Sequence, residues 1–237
     1  MDSRERAALL IVVALVTSPS LLDAQGGSGG PRSDSLRDAS RLDTQGRHAE
    51  GRAIFQRLID TAPDPAAKAA AQRRMAMSYG FEGDCASAVK YEEMVIAYWV
   101  TREQAEPQNA FYQQGEMANE AARVCIDGGD LDTAERMYRR GSELGLKEPE
   151  PKTHPKRLWD YRLAHALGRL AARRGDQPEA QRQVAEARRM LDSDPDMAEA
   201  QERFFPYLAG YVALYTGDLR AAEAELTKAL AMRGNQN

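Results

Sequence analysis

Gly83-Asp84-Cys85-Ala86-Ser87-Ala88 is the first of four stretches that share the pattern Gly-Asp-x-x-x-Ala. The other three begin at Gly129, Gly175 and Gly217, and a degenerate copy begins at Gly46. A pattern that returns at intervals of tens of residues marks stacked supersecondary units. The four stretches therefore predict a chain that is built from about five repeats.

Small and apolar residues surround each glycine at helical spacing. Ahead of Gly175, for example, they include Leu167, Gly168 and Ala171, which share one face of an α-helix that ends at the glycine. After the turn the same spacing continues. Each unit is therefore predicted to be a helix, a turn and a second helix, with the glycine in the left-handed conformation and the aspartate capping the second helix.

This register resembles the tetratricopeptide repeat (TPR) family, in which Leu-Gly, the Gly-Asp turn and a later Ala have the places of Leu167-Gly168, Gly175-Asp176 and Ala187. The resemblance covers residues 33–233 and implies an all-α, right-handed superhelical solenoid of about five helix-turn-helix repeats. The implied domain is 35–233, with units at about 35–65, 69–104, 110–145, 158–193 and 197–233.

The spacing of the units departs from the family pattern. Successive turn glycines are 37, 46, 46 and 42 residues apart, whereas a TPR unit has about 34 residues. Because the offsets inside each unit are constant, the extra residues are predicted to lie between units, at 96–110 and 146–157. The second of these segments contains three prolines, which exclude a helix interior.

The first 24 residues resemble a secretory signal, since Arg4 and Arg6 precede a short apolar run that ends near Ala24. Cleavage after Ala24 predicts export to a bacterial periplasm or secretion, with no stable membrane insertion of the mature chain. Retention as an uncleaved anchor is the alternative. Residues 25–34 are rich in glycine and are predicted to form a flexible linker.

Composition and motifs indicate a non-enzymatic protein. The chain has 32 basic and 36 acidic residues and a net charge of −4, which does not favour a nucleic-acid partner. Neither a catalytic constellation, nor a metal motif, nor a phosphate-binding loop is present in the sequence, so no cofactor and no metal are expected. His48 and His154 are predicted to lie in solvated turns.

The two cysteines leave two interpretations open. Cys85 begins the second helix of unit 2, and Cys125 lies near the end of the first helix of unit 3. The TPR resemblance makes these helices antiparallel neighbours, so a disulfide is geometrically plausible, as exported proteins often have. Two buried free thiols are the alternative.

The resemblance also implies that the first helix of each unit lines a concave groove. The groove positions are Arg73, Asn119, Arg123, Arg162, His165, Arg169, Arg173, Tyr207, Tyr211 and Tyr215. The arginines form a basic ladder suited to carboxylates, and the tyrosines form an aromatic ladder that offers contact area. Alternatively, the arginines are merely solvated and the tyrosines pack against a neighbouring helix.

The sequence therefore favours a protein-interaction or scaffold module that binds a peptide or protein segment in the groove. Two alternatives stay open. The repeats could self-associate into a homo-oligomer without a dedicated ligand, or an enzyme or carrier site could lie near the loop 146–157.

Overall fold

The computed structural model describes residues 31–151 and 153–235, and the regular secondary structure of these residues is helical, with no strand among them. The predicted signal, residues 1–24, and residues 25–30 of the predicted linker lie outside this range. The helices are α1 (Pro31–Thr44), α2 (His48–Asp60), α3 (Pro65–Phe81), α4 (Cys85–Val100), α5 (Pro107–Gly128), α6 (Leu131–Gly145), α7 (Leu158–Arg174), α8 (Gln177–Ser193), α9 (Pro195–Gln201), α10 (Phe205–Thr216) and α11 (Leu219–Ala231). The search of the described helices for a long apolar span that could cross a bilayer found no candidate.

The helices pair into antiparallel hairpins that stack along the chain. The hairpins are α1–α2, α3–α4, α5–α6, α7–α8 and α10–α11, and each packs against the next. First helices also meet directly, as α3 meets α5 and α7 meets α10. The result is the all-α solenoid that the repeated pattern predicts.

The turns have the conformation expected from Gly-Asp. Gly83, Gly129, Gly175 and Gly217 have φ values of 71°, 89°, 77° and 92°, in the left-handed region that glycine adopts without a Cβ clash. Each following aspartate accepts a hydrogen bond, at 3.0–3.1 Å, from the backbone N–H three residues later. The degenerate copy keeps the positive φ of Gly46, at 77°, but Arg47 makes no side-chain cap. Both predicted roles are therefore confirmed for the four full copies.

The segment between α6 and α7 packs against α5 and does not extend into solvent. His154 is 9% exposed at its side chain, its Nε2 lies 2.8 Å from Oε2 of Glu148, and its ring centroid lies 5.2 Å from that of Tyr112. His48 is also held, with Nδ1 2.9 Å from Oδ1 of the buried Asp43. The expectation that both histidines are solvated is wrong, because the His154 ring packs against Tyr112 on α5 and the His48 ring is bonded to Asp43 on α1.

Trp159, near the start of α7, packs the end of this segment against α5 and α6. It is 1% exposed. A Cβ added to Gly115 on α5 or to Gly145 on α6 would overlap its ring. The two glycines therefore form the slot that the indole fills, and a side chain at either position would expel it.

The first helix of the last unit is interrupted. In place of one continuous first helix, the chain forms α9, a 3₁₀ turn at Glu202–Phe204 and then α10. Pro206 lies in the first turn of α10, where its missing N–H leaves no bond unmade. Phe204 therefore lies just before α10, the helix that carries Tyr207, Tyr211 and Tyr215.

A disulfide joins Cys85, at the start of α4, to Cys125, near the end of α5, with Cα atoms 4.6 Å apart. The sequence left open a disulfide or two buried free thiols, and the structure has the disulfide. Cys125 is fully buried, so the bridge fastens the second hairpin to the core of the third.

Replacement of both cysteines by alanine is expected to lower the free energy of unfolding. The bridge closes a sequence separation of 40 residues, and chain entropy assigns about 4 kcal/mol to a loop of that length. Denaturant unfolding of the wild type and of the double variant measures the difference. Reductant should shift the wild type to the midpoint of the variant and leave the variant unchanged. Equal midpoints without reductant would contradict the structural role of the bridge.

Candidate functional site

The ten predicted groove residues lie on α3, α5, α7 and α10, the first helices of their units. We call the surface that these side chains form the first-helix face. Its residues fall into two groups with different electrostatics. The first group, on α3, α5 and the start of α7, contains Arg73, Asn119 and Arg162. The second group, on α5, α7 and α10, contains Arg123, His165, Arg169, Arg173, Tyr207, Tyr211 and Tyr215.

In the first group the arginines already have partners within the chain. Arg73 makes a bidentate pair with Glu120, in which its Nε donates to Oε2 at 3.1 Å. Arg162 pairs with Glu116 and lies over the Trp159 ring, with its Cζ 4.8 Å from the ring centroid. These two arginines were expected to be available to a partner, but internal carboxylates on α5 occupy them.

Burial and charge oppose each other at the α5 carboxylates. Burial alone would raise the pKa of Glu116, but the Arg162, Arg123 and Arg73 guanidiniums outweigh it and hold that pKa below the ordinary value. Glu92, on α4 beneath them, behaves differently. It is 2% exposed, and burial together with the nearby Glu120 raises its pKa well above the ordinary range. Its surroundings therefore favour the neutral carboxyl more than water does.

Sequence reasoning missed these carboxylates, although a signal was present. Glu116, Glu120 and Arg123 follow one another at spacings of four and three residues on α5, so they share one helix face with the predicted groove position Asn119. Asn119 itself is 7% exposed. A Cβ added to Gly141 on α6 would lie 2.5 Å from its Oδ1, so its side chain packs against α6 and is not open to a ligand.

The second group is centred on Arg169. This residue is 7% exposed, and its Nη2 donates to the Tyr138 hydroxyl at 2.7 Å. The rings of Tyr138, Tyr207 and Tyr211 surround its Cζ at 5.5–5.9 Å from their centroids. No described carboxylate lies within 4.0 Å of it, and its buried Nε has no acceptor among the described residues. Two tyrosines of the aromatic ladder, Tyr207 and Tyr211, therefore enclose a cation together with Tyr138 from α6.

Arg173 and Arg123 are the more accessible cations of this group. Arg173 donates from Nη1 to the Tyr211 hydroxyl at 3.4 Å and lies 5.0 Å from the Tyr215 ring centroid, while Tyr215 is 45% exposed. The Arg123 side chain is 41% exposed, and its nearest described carboxylate, Glu116, is 3.9 Å away and already bonded to Arg162. Neither arginine is thus neutralised at hydrogen-bonding distance by a described side chain.

His165 links the arginines of α7 to α10. Its ring stacks on Tyr207 at 6.0 Å, and its Nε2 lies 3.3 Å from the Phe204 carbonyl oxygen. Burial, and then the positive charges of Arg169 and Arg123, lower its pKa to about 3. The imidazole is therefore neutral at physiological pH, and its Nε2–H donates to the carbonyl.

The loop 146–157 borders a shallow depression of about 570 Å³ whose lining includes Glu106, Gln108 and Glu150. The Gln108 side-chain amide is already committed, because it donates to the Pro149 and Glu150 carbonyl oxygens at 2.8 and 2.7 Å. In the described ranges, no three His, Cys, Asp or Glu side chains lie close enough together to hold a metal ion. The Gln108 side chain at the edge of the depression is therefore bonded within the chain.

Comparison with solved structures identifies proteins that have a similar fold. Two crystal structures of a Podosopora anserina protein described as a putative kinesin light chain with nearly identical TPR-like repeats are similar to this chain. One of them, a variant with a single substitution, has 17% sequence identity and a TM-score of 0.57, over 86% of this chain and 95% of the other. The second has 17% identity and a TM-score of 0.55, over 88% and 99%.

No protein-family model and no curated protein matches the sequence. The two structural matches show that the chain has the TPR-like repeat fold, although the sequence identity is low.

Glu116→Gln is expected to lower the stability of the protein at pH 7 by about 1–3 kcal/mol, since it leaves Arg162 partly buried without its carboxylate. The folded pKa of Glu116 lies below the ordinary 4.5. Its contribution is therefore present above that value and is lost as the pH falls through the folded pKa. The difference between wild type and variant should thus shrink in acid.

Denaturant unfolding at several pH values measures this effect. Glu50→Gln is the matched control, because the pair that Glu50 forms with Arg47 is exposed on both sides and contributes little. A difference between Glu116→Gln and wild type that stayed constant down to the acid limit of folding would refute the ion-pair account.

Proposed function

We propose that the protein is a non-enzymatic interaction module that binds an acidic segment of a protein partner on the first-helix face. One observation carries the proposal. Arg123 and Arg173 are partly exposed, and they lack a carboxylate at hydrogen-bonding distance among the described residues, whereas Arg73 and Arg162 on the same face are occupied by Glu120 and Glu116.

The two accessible arginines suit a carboxylate-bearing chain. A guanidinium presents its donors in a planar fork that matches a carboxylate, and such charge-assisted bonds are roughly twice as strong as neutral ones. Tyr215 lies beside Arg173 with nearly half its surface exposed. A tyrosine in that position adds contact area at small entropic cost. We therefore assign the contact with the partner to Arg123, Arg173 and Tyr215, and we assign Arg169 to holding the tyrosines.

We further propose that this binding takes place outside the cytoplasm, in a periplasm or in a secreted state. The support is the signal-like sequence 1–24, with cleavage after Ala24, and the bridge between Cys85 and Cys125, because disulfides persist in oxidising compartments.

Binding of acidic peptides tests the contact. Fluorescently labelled peptides rich in Glu and Asp are expected to bind the mature chain at low salt, and their amide counterparts, with Gln and Asn, are not. The double reversal Arg123→Glu with Arg173→Glu should abolish binding. Arg182→Glu with Arg189→Glu changes the net charge equally at two exposed positions on α8 and should leave binding intact. Equal loss in both double variants would reduce the effect to overall charge and overturn the assignment.

Self-association is the second candidate, favoured by two exposed leucines on α11. Leu219 and Leu230 on α11 are 67% and 68% exposed, and they share one side of the helix because eleven residues make close to three turns. Sedimentation over a range of concentrations is expected to show association if this face pairs, and Leu219→Glu with Leu230→Lys should abolish it. A wild type that stays monomeric throughout would eliminate this candidate.

A further inference from the structure

Three arginines and one carboxylate interact electrostatically at the end of the first-helix face, where Nη2 of Arg173 lies 3.8 Å from the position of a Cβ on Gly129, just after α5. Arg123 and Asp127 are one turn apart on α5, and Arg169 and Arg173 are one turn apart on α7. All three arginines interact electrostatically with Asp127. Three positive charges and one negative charge leave an excess of two. We call these four residues the arginine cluster.

The groups around the arginine cluster do not cancel this excess. Burial raises the pKa of the Tyr207 and Tyr211 hydroxyls above their ordinary value, so both stay protonated and uncharged at neutral pH. His165 is neutral as well. The nearest further carboxylate is Glu116, which is 3.9 Å from Arg123 and is bonded to Arg162. No carboxylate of the described residues therefore cancels the excess at hydrogen-bonding distance.

An excess of this kind is unfavourable where water is scarce. Arg169 is 7% exposed and is contacted by aromatic rings and one hydroxyl. A buried charge without an opposite charge destabilises the fold, and a ligand of opposite charge relieves that effect. A ligand that carries two negative charges would match the excess.

We propose that the arginine cluster is a binding site for a dianionic oxyanion of the phosphate or sulfate class. Arg123 from α5 and Arg173 from α7 would donate to its oxygens from two sides, because their guanidinium groups are the accessible ones. Arg169 is buried and would attract the anion through its charge, without a direct contact. Asp127 opposes the ligand and limits its affinity. The site goes beyond the proposed protein contact, since a small anion can fill it without any partner.

Calorimetric titration of the mature chain tests the proposal, with inorganic phosphate, sulfate and glycerol phosphate as the probes and acetate as the monoanionic control at equal ionic strength. At about pH 7.5 a phosphate monoester is largely dianionic, since its second pKa is near 6. Dissociation constants in the millimolar range or tighter are expected for the dianions, with clearly weaker binding of acetate. Preference for inorganic phosphate over the ester would identify the free anion as the source, and the reverse preference would identify an esterified group.

Variants of the cluster make the test specific. Arg123→Gln and Arg173→Gln should each weaken phosphate binding about tenfold, and Asp127→Asn should strengthen it about threefold by removing the opposing charge. Arg174→Gln is the matched control. It removes a positive charge next to Arg173, but from a side chain that is already bonded to Asp132 at 2.8 Å, and should leave the affinity unchanged.

Three results would overturn the proposal: no heat of binding with any dianion, acetate bound as tightly as phosphate, or equal affinities in Arg173→Gln and Arg174→Gln. Melting curves of each variant establish that it is folded. The outcome is separable from the proposed function, because peptide binding without dianion binding would remove this inference alone, and dianion binding without peptide binding would remove the proposed function alone.

Discussion

The left-handed glycine followed by a capping aspartate is the constraint on which the rest of the structure depends. Gly83, with φ of 71°, lies two residues after the end of α3 at Phe81, and Asp84 caps α4, which begins at Cys85. The chain therefore reverses with almost no loop, and the two helices must lie antiparallel and close. Close approach demands small residues after the turn. Ala88, Ala134, Ala180 and Ala222, at the same offset in each copy, are all 0–3% exposed.

This local origin explains which parts of the fold were predictable. The turn, its cap and the buried alanine depend on residues within one unit, so a spacing pattern reveals them. The disulfide required only one further step, the antiparallel contact of α4 with α5. By contrast, the split of the last first helix follows from Pro206 and the preceding 3₁₀ turn, and the repeat register alone gives no account of either.

The candidate site was less predictable, because it depends on contacts between units. The register identified Arg73 and Arg162 but not their occupation by Glu120 and Glu116, which lie 47 and 46 residues away in sequence. Similarly, the aromatic ladder was visible, but its enclosure of Arg169 needs Tyr138 from α6, which lies outside the groove positions. Partners of this kind are distant in sequence, and their distances vary with the length of the segments between units.

Those segments also explain why the two ends of the first-helix face differ. The insertion after α6 brings His154 against Tyr112 and seats Trp159 between two glycines, and the Trp159 ring in turn supports Arg162 beside Glu116. The neutralised group is thus tied to a packed core and is structural in character. Arg123 and Arg173 have no comparable support, and no carboxylate occupies either at hydrogen-bonding distance among the described side chains. On the proposed anion binding, a face whose charges are balanced at one end and unbalanced at the other would direct the ligand to the unbalanced end. Only there would binding remove an electrostatic penalty, since at the balanced end it would exchange one ion pair for another.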